Sequence, residues 1–131
     1  MVIDSSALIA IILGEPSEAL LEAALARETS RIISSVSLLE TGMVLRARIG
    51  QEGVDTLYRI IERLDIEVIP FEATLAKLGI AAFARYGKGM GHKAQLNFGD
   101  CAVYALALTR GEPVLATGKD FLATDIRVQR Y

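Results

Sequence analysis

Four short apolar runs, separated by stretches of helical period, constrain this chain more than any other feature. Met1-Val-Ile-Asp4, Arg31-Ile-Ile-Ser34, Ile66-Glu-Val-Ile69 and Pro113-Val-Leu-Ala116 read as buried strands. A helix is expected over residues 7–13, capped by Ser5 or Ser6 and broken by Gly14-Glu-Pro16. A second starts at Ser17, with Leu20, Leu21, Ala24 and Leu25 on one side. A third, capped by Ser35 or Ser37, runs to Arg48 and stops at Gly50. Further helices are expected over residues 54–64, 72–86 and 98–109. Gly87-Lys-Gly-Met-Gly-His-Lys93 is a basic glycine loop, and residues 126–129 offer a short fifth strand. Strands alternating with helices give an α/β fold. Its parallel sheet carries helices on both faces and is joined by right-handed crossovers.

At 131 residues the chain fits one domain, with no internal repeat or linker. Its 52% apolar content suffices for a core. The longest apolar run, Ala7 to Leu13, falls short of the roughly 20 residues a membrane span needs. The opening residues carry no basic flank, so they read as a strand and not as a signal peptide. One cysteine, Cys101, forms no internal disulfide and agrees with a reducing cytoplasm. Net charge is −2; Asp4, Glu40, Asp100 and Asp120 together carry −4, which leaves the rest of the chain at +2. A weakly basic body around an acidic site is compatible with a phosphate-backbone substrate, though composition does not select one.

Four acids stand where a surface acid would not. Asp4 ends the first strand, and ligands of open parallel sheets bind outside the strand carboxyl ends. Position alone leaves it either a helix cap or a ligand. Glu40 has Val36, Met43, Val44 and Ala47 at helical spacing and so shares an apolar stripe expected to face the core. An ionised carboxylate there is costly unless paired or metal-bound. Asp100 precedes Val103, Tyr104 and Ala107 at the same spacing and sits in the first turn of its helix, where Asn97 can cap. Asp120 follows the fourth strand in Thr117-Gly-Lys-Asp-Phe121, with Asp125 a rival for its role. Asp beside Gly is also an ordinary turn residue. Carboxylates without His or Cys suit hard cations such as Mg²⁺ or Mn²⁺.

On these residues the chain resembles the PIN-domain family, and within it the VapC toxins of toxin–antitoxin pairs. The resemblance covers essentially the whole chain. It is carried by Met1-Val-Ile-Asp-Ser-Ser-Ala-Leu8, Ser37-Leu-Leu-Glu-Thr41, Leu96-Asn-Phe-Gly-Asp-Cys101 and Thr117-Gly-Lys-Asp-Phe121, in that order. It implies a three-layer α/β/α fold with four to five parallel strands. It implies a ribonuclease that cleaves phosphodiesters with Mg²⁺ or Mn²⁺. Asp4, Glu40, Asp100 and Asp120 match the family's acidic quartet, the fourth acid being the one that varies among relatives. Ser6 matches a supporting hydroxyl, here in Asp-Ser-Ser where the family often has Asp-Thr-Ser. Asn97 and Thr117 flank the same motifs. Also implied are a homodimer, a VapB-type antitoxin and a heterotetramer or larger assembly of the two.

Other residues weigh less. Lys88, His92 and Lys93 could meet RNA phosphates or form a solvated loop. Such contacts would position substrate without reading sequence. Arg46 and Arg48 read as surface or dimer-face charges, Lys119 as a solvent-facing turn lysine and Cys101 as a small buried residue. A single histidine excludes a two-histidine mechanism within one chain. A receiver domain wants an acid ending the third strand, where Val68-Ile-Pro-Phe71 has none. A haloacid-type phosphohydrolase wants a second Asp two residues after the first, and position 6 is Ser. A PIN-like module that binds RNA or protein without cutting is the remaining alternative.

Overall fold

In the computed structural model, which describes residues 1–131, the four apolar runs form strands β1 (Val2–Ile3), β2 (Ile32–Ser34), β3 (Glu67–Ile69) and β4 (Val114–Leu115). All pair in parallel, in the order β3-β2-β1-β4. Successive strand residues point to opposite faces, and the two faces feed two cores. Val2, Ile32 and Val114 join one core, Ile3, Ile33 and Leu115 the other. Helices α5 (Ala73–Tyr86) and α6 (Phe98–Arg110) cover the first face through Leu75, Ala82, Val103 and Leu106. The other face is covered by α1 (Ser5–Ile12), α2 (Glu18–Arg27), α3 (Ser35–Ile49) and α4 (Gln51–Arg63), through Leu8, Leu21, Leu45 and Leu57. This is the expected three-layer α/β/α arrangement. No helix is long and apolar enough to cross a membrane.

The starts of α1 and α3 correct the expected boundaries for one shared reason. In each case the last residue of the strand run is itself the cap, with no loop between. Asp4, not Ser5 or Ser6, caps α1 by accepting the N–H of Ser6 at 2.9 Å. Ser34, not Ser35 or Ser37, caps α3 by accepting the N–H of Val36 at 3.2 Å. Gly50, at φ 76°, turns the chain sharply from α3 into α4, which therefore starts at Gln51 and not at Val54. Leu20, expected on the apolar side of α2, is 56% exposed. The fifth strand is reduced to one bridge, Val128 beside Val114, because it grips the edge of β4 at a single residue.

Strand order reverses at β1: β2 and β3 lie to one side of it and β4 to the other. Such a reversal opens a crevice at the strand carboxyl ends. Asp4 leaves β1 there, and its N–H donates to the Leu115 carbonyl at 3.0 Å. Thr117 leaves β4 beside it.

Candidate active site

Asp4 is 5% exposed, and both of its side-chain hydrogen bonds fall on one oxygen. Oδ2 accepts from the Ser6 N–H at 2.9 Å and from the Ser6 hydroxyl at 2.5 Å. Ser6 Oγ in turn accepts the N–H of Thr117 at 3.1 Å. One hydroxyl thus ties the ends of β1 and β4 together, and Thr117 supports the site through its backbone. Burial pushes the Asp4 carboxyl above its ordinary range; the Ser6 bonds pull it down and the nearby charge of Glu40 adds to the rise.

Asp100 is fixed by a reciprocal cap at the start of α6. Asn97 Oδ1 accepts the N–H of Asp100, and Asp100 Oδ2 accepts the N–H of Asn97, both at 2.9 Å. Val103, Tyr104 and Ala107 are buried behind it, as their spacing predicts. The Asp100 carboxyl is pushed up to about 6, first by burial and then by the charges of Asp4, Asp120 and Glu40, against the Asn97 bond. Four acids therefore share one electrostatic neighbourhood.

Glu40 departs from expectation. The buried side of α3 carries Ser37, Thr41 and Leu45. Glu40 stands half-buried beside a surface groove lined by Val36, Leu39, Met43, Val44 and Phe98. Leu39 and Met43 are each 64% exposed. Helical spacing reveals an apolar stripe but not what covers it, so a groove and a core read alike. The Glu40 carboxylate reaches α6, where it lies against Gly99.

Asp120 opens a single 3-10 turn, Asp120–Ala123, after β4 and is exposed. Its rival Asp125 is engaged elsewhere. Asp125 accepts from the Tyr104 hydroxyl at 2.7 Å and from Arg85 at 3.2 Å. The Tyr104 bond holds its carboxyl below the ordinary range.

Asp4, Ser6, Asn97, Asp100, Thr117 and Asp120 line one cleft of about 160 Å³, with Ala116, Gly118 and buried Phe121 completing its wall. Glu40 lies outside that lining. Gly118 and Phe121 belong to a segment whose sequence points to Thr117 and Asp120 but not to them; the turn after a strand end is the signal that could find them. Lys88, His92 and Lys93 do not line the cleft. Lys88 and Lys93 are exposed, while the half-buried His92 ring packs edge-on against Tyr86 at 4.9 Å and its Nδ1 accepts the Ala94 N–H at 3.1 Å. Backbone bonds from Lys88 to Leu96 and from Leu96 to Tyr86, both 2.9 Å, pinch the base of this loop just before Asn97. Cys101 is buried, and Arg46, Arg48 and Lys119 are exposed.

No three carboxylate, histidine or cysteine side chains are grouped tightly enough to enclose a cation by themselves. The donor chemistry nonetheless fits one. Asp4 and Asp100 each make their side-chain hydrogen bonds within the fold through Oδ2, and both line the cleft. Mg²⁺ keeps several waters and needs only one or two direct carboxylates. Burial is the main cause of the raised carboxyls, and a cation would offset the repulsion that adds to it.

A PIN-domain family model matches residues 1–127. The chain is 43% identical over 126 residues to a protein of Mycolicibacterium smegmatis named Ribonuclease VapC, with 96% of this chain and 97% of that protein covered. In structure it resembles Mycobacterium tuberculosis VapC20, described as a sarcin-ricin loop cleaving toxin. The TM-score is 0.82 at 19% identity, covering 99% and 98% of the two chains. It also resembles a chain of the DNA-bound VapBC complex of Salmonella typhimurium, with TM-score 0.75 at 22% identity and coverage of 98% and 95%. A parallel sheet reversing at β1, an acidic cleft at that reversal and a whole-length family match converge on one assignment: the chain belongs to the PIN-domain family.

Proposed function

We infer that this chain is a VapC-type endoribonuclease, the toxin of a type II toxin–antitoxin pair, which hydrolyses RNA phosphodiester bonds. The observation that carries the reading is the acidic cleft at the β1/β4 reversal, in a chain 43% identical to a VapC ribonuclease along nearly its whole length. Asp4 and Asp100 would hold Mg²⁺ or Mn²⁺, with Asp120 at the cleft mouth and Glu40 behind Gly99 completing the set. When bound, the ion supplies Lewis acidity, easing deprotonation of water and offsetting charge on the phosphate.

The chain's own residues do the rest. Ser6 fixes the Asp4 carboxylate through two bonds to one oxygen, and Thr117 fixes Ser6. Asn97 sets the angle of Asp100. His92 does not line the cleft, so it activates no lining hydroxyl there, and on this reading the nucleophile is water. Lys88 and Lys93, on the loop that leads into Asn97, would hold flanking phosphates.

The partners follow from the same reading: RNA as substrate, a VapB-type antitoxin and a second copy of the chain, all in the cytoplasm. The VapBC likeness supports the antitoxin. An exposed apolar face formed by Leu39, Met43, Ile80, Phe83 and Phe98 supports the homodimer.

The test is cleavage of total cellular RNA by antitoxin-free protein, with Mg²⁺ or Mn²⁺ and with EDTA, beside Asp4→Asn and Asp100→Asn. Metal-dependent fragments lost in both variants are expected. Undiminished cleavage in EDTA or in either variant overturns the mechanism; a folded protein that cuts nothing points to a binding module.

A further inference from the structure

Gly99 is a glycine in the first turn of a helix with no backbone reason to be one. It is the second residue of α6 and is absent from the positive-φ glycines, so alanine would satisfy its conformation. What forbids a side chain is Glu40. A Cβ at position 99 would lie 2.6 Å from Glu40 Oε2, 3.2 Å from Cδ and 3.3 Å from Oε1. All three nearest atoms belong to one carboxylate, which has taken the volume a methyl group would fill. The other glycines inside helices meet different neighbours: Gly42 meets Leu57, Gly53 meets Ile49 and Leu45, and Gly79 meets the Cys101 backbone.

The location matters because Glu40 belongs to another element. It projects from α3, outside the cleft lining, yet its charge is felt at both Asp4 and Asp100. The first turn of α6 also presents unpaired N–H groups and the positive end of the helix, which draw a carboxylate inward. Only at a residue without Cβ can the carboxylate approach that closely.

We propose that Gly99 is a positioning residue: the missing side chain is the slot that lets Glu40 cross from α3 to α6 and complete the acidic site. The inference rests on the carboxylate nuclease reading above. The obstructing atoms are the far end of a flexible side chain, so alanine at 99 would turn Glu40 outward and leave the backbone in place. Function and stability therefore separate.

The experiment compares full-length wild type, Gly99→Ala, Glu40→Gln, the double variant and Asp4→Asn. Mn²⁺ binding to RNA-free protein is measured by calorimetry, thermal unfolding is measured without metal, and RNA cleavage is followed across Mg²⁺ concentrations. Gly99→Ala should unfold at or above the wild-type temperature yet bind Mn²⁺ roughly 10-fold more weakly, the scale of other changes around metal ligands. Its cleavage should recover in part at high Mg²⁺. Glu40→Gln should match it, and the double variant should be no worse than Glu40→Gln alone, because both remove one interaction. Wild-type Mn²⁺ affinity in Gly99→Ala, or losses that multiply in the double variant, would overturn the proposal. So would a marked drop in unfolding temperature, since the backbone and not Glu40 would then have yielded. If Glu40→Gln weakens binding and Gly99→Ala does not, the slot alone fails. If wild type neither binds Mn²⁺ nor cuts, or Asp4→Asn cuts normally, the nuclease reading fails with it.

Discussion

Asp4 serves the fold and the site with one side chain. Oδ2 caps α1 and holds Ser6, and the same side chain lines the cleft. Asparagine caps a helix as well as aspartate does. Asp4→Asn should therefore keep its unfolding temperature within a few degrees while losing cleavage by roughly a hundredfold or more, at the upper end of losses at metal sites. Paired melting and cleavage assays check both. The sequence offers cap and ligand as rival readings of Asp4; the structure shows the cap, and the ligand role belongs to the proposed function. Asp125 shows the limit of reading by proximity. It lies near Asp120 in sequence, but the Tyr104 hydroxyl and Arg85 hold it. Its lowered carboxyl contributes stability that is present above the ordinary value near 3.9 and fades as pH falls through the lower folded value. Asp125 is 48% exposed, so the contribution is discounted. Tyr104→Phe should cost about 1 kcal/mol or less at pH 7, with the gap closing toward pH 3. Urea unfolding at both pH values measures it.

Helix starts organise the site. α1 begins on Asp4, α6 on Asn97 and Asp100, and α3 presents Glu40 one turn inside its start. Asn97→Ala should cost about 1 kcal/mol and also release Asp100, whereas Asn97→Ser should recover the stability. Denaturant midpoints together with cleavage rates separate the two roles; a Ser variant as unstable as the Ala variant would count against the cap. The elements themselves were legible because each apolar run and each helical stretch carries its own period. Asp100 was legible for the same reason: Val103, Tyr104 and Ala107 pack where their spacing puts them. Glu40 was read correctly as an acid on an apolar stripe and wrongly as one facing the core. Only the third dimension shows that the stripe borders Phe98 and Gly99 instead. Residues 126–129 have strand composition, yet a strand needs a partner along its length, and β4 is two residues long.

At the scale of the whole molecule, two cores share one sheet and the apolar surface left over concentrates on α3, α5 and the start of α6. Leu39 is 64% exposed, so Leu39→Glu should fold while converting a dimer to a monomer, with a melting temperature that no longer rises with protein concentration. Sedimentation velocity decides this, and a wild-type chain already monomeric at micromolar concentration would sink the homodimer. The parallel sheet has a further consequence, in time. β1 lies at the centre, but one of its neighbours is β4, and the Ser6–Thr117 bond spans 111 positions. Contacts of that separation form late, after the intervening chain has been synthesised and collapsed. A growing chain that ends before residue 113 holds Asp4, Glu40 and Asp100 but no far wall for the cleft. While it is still being made on the ribosome, and so surrounded by RNA, the molecule carries three of its four acids without the cleft that brings them together.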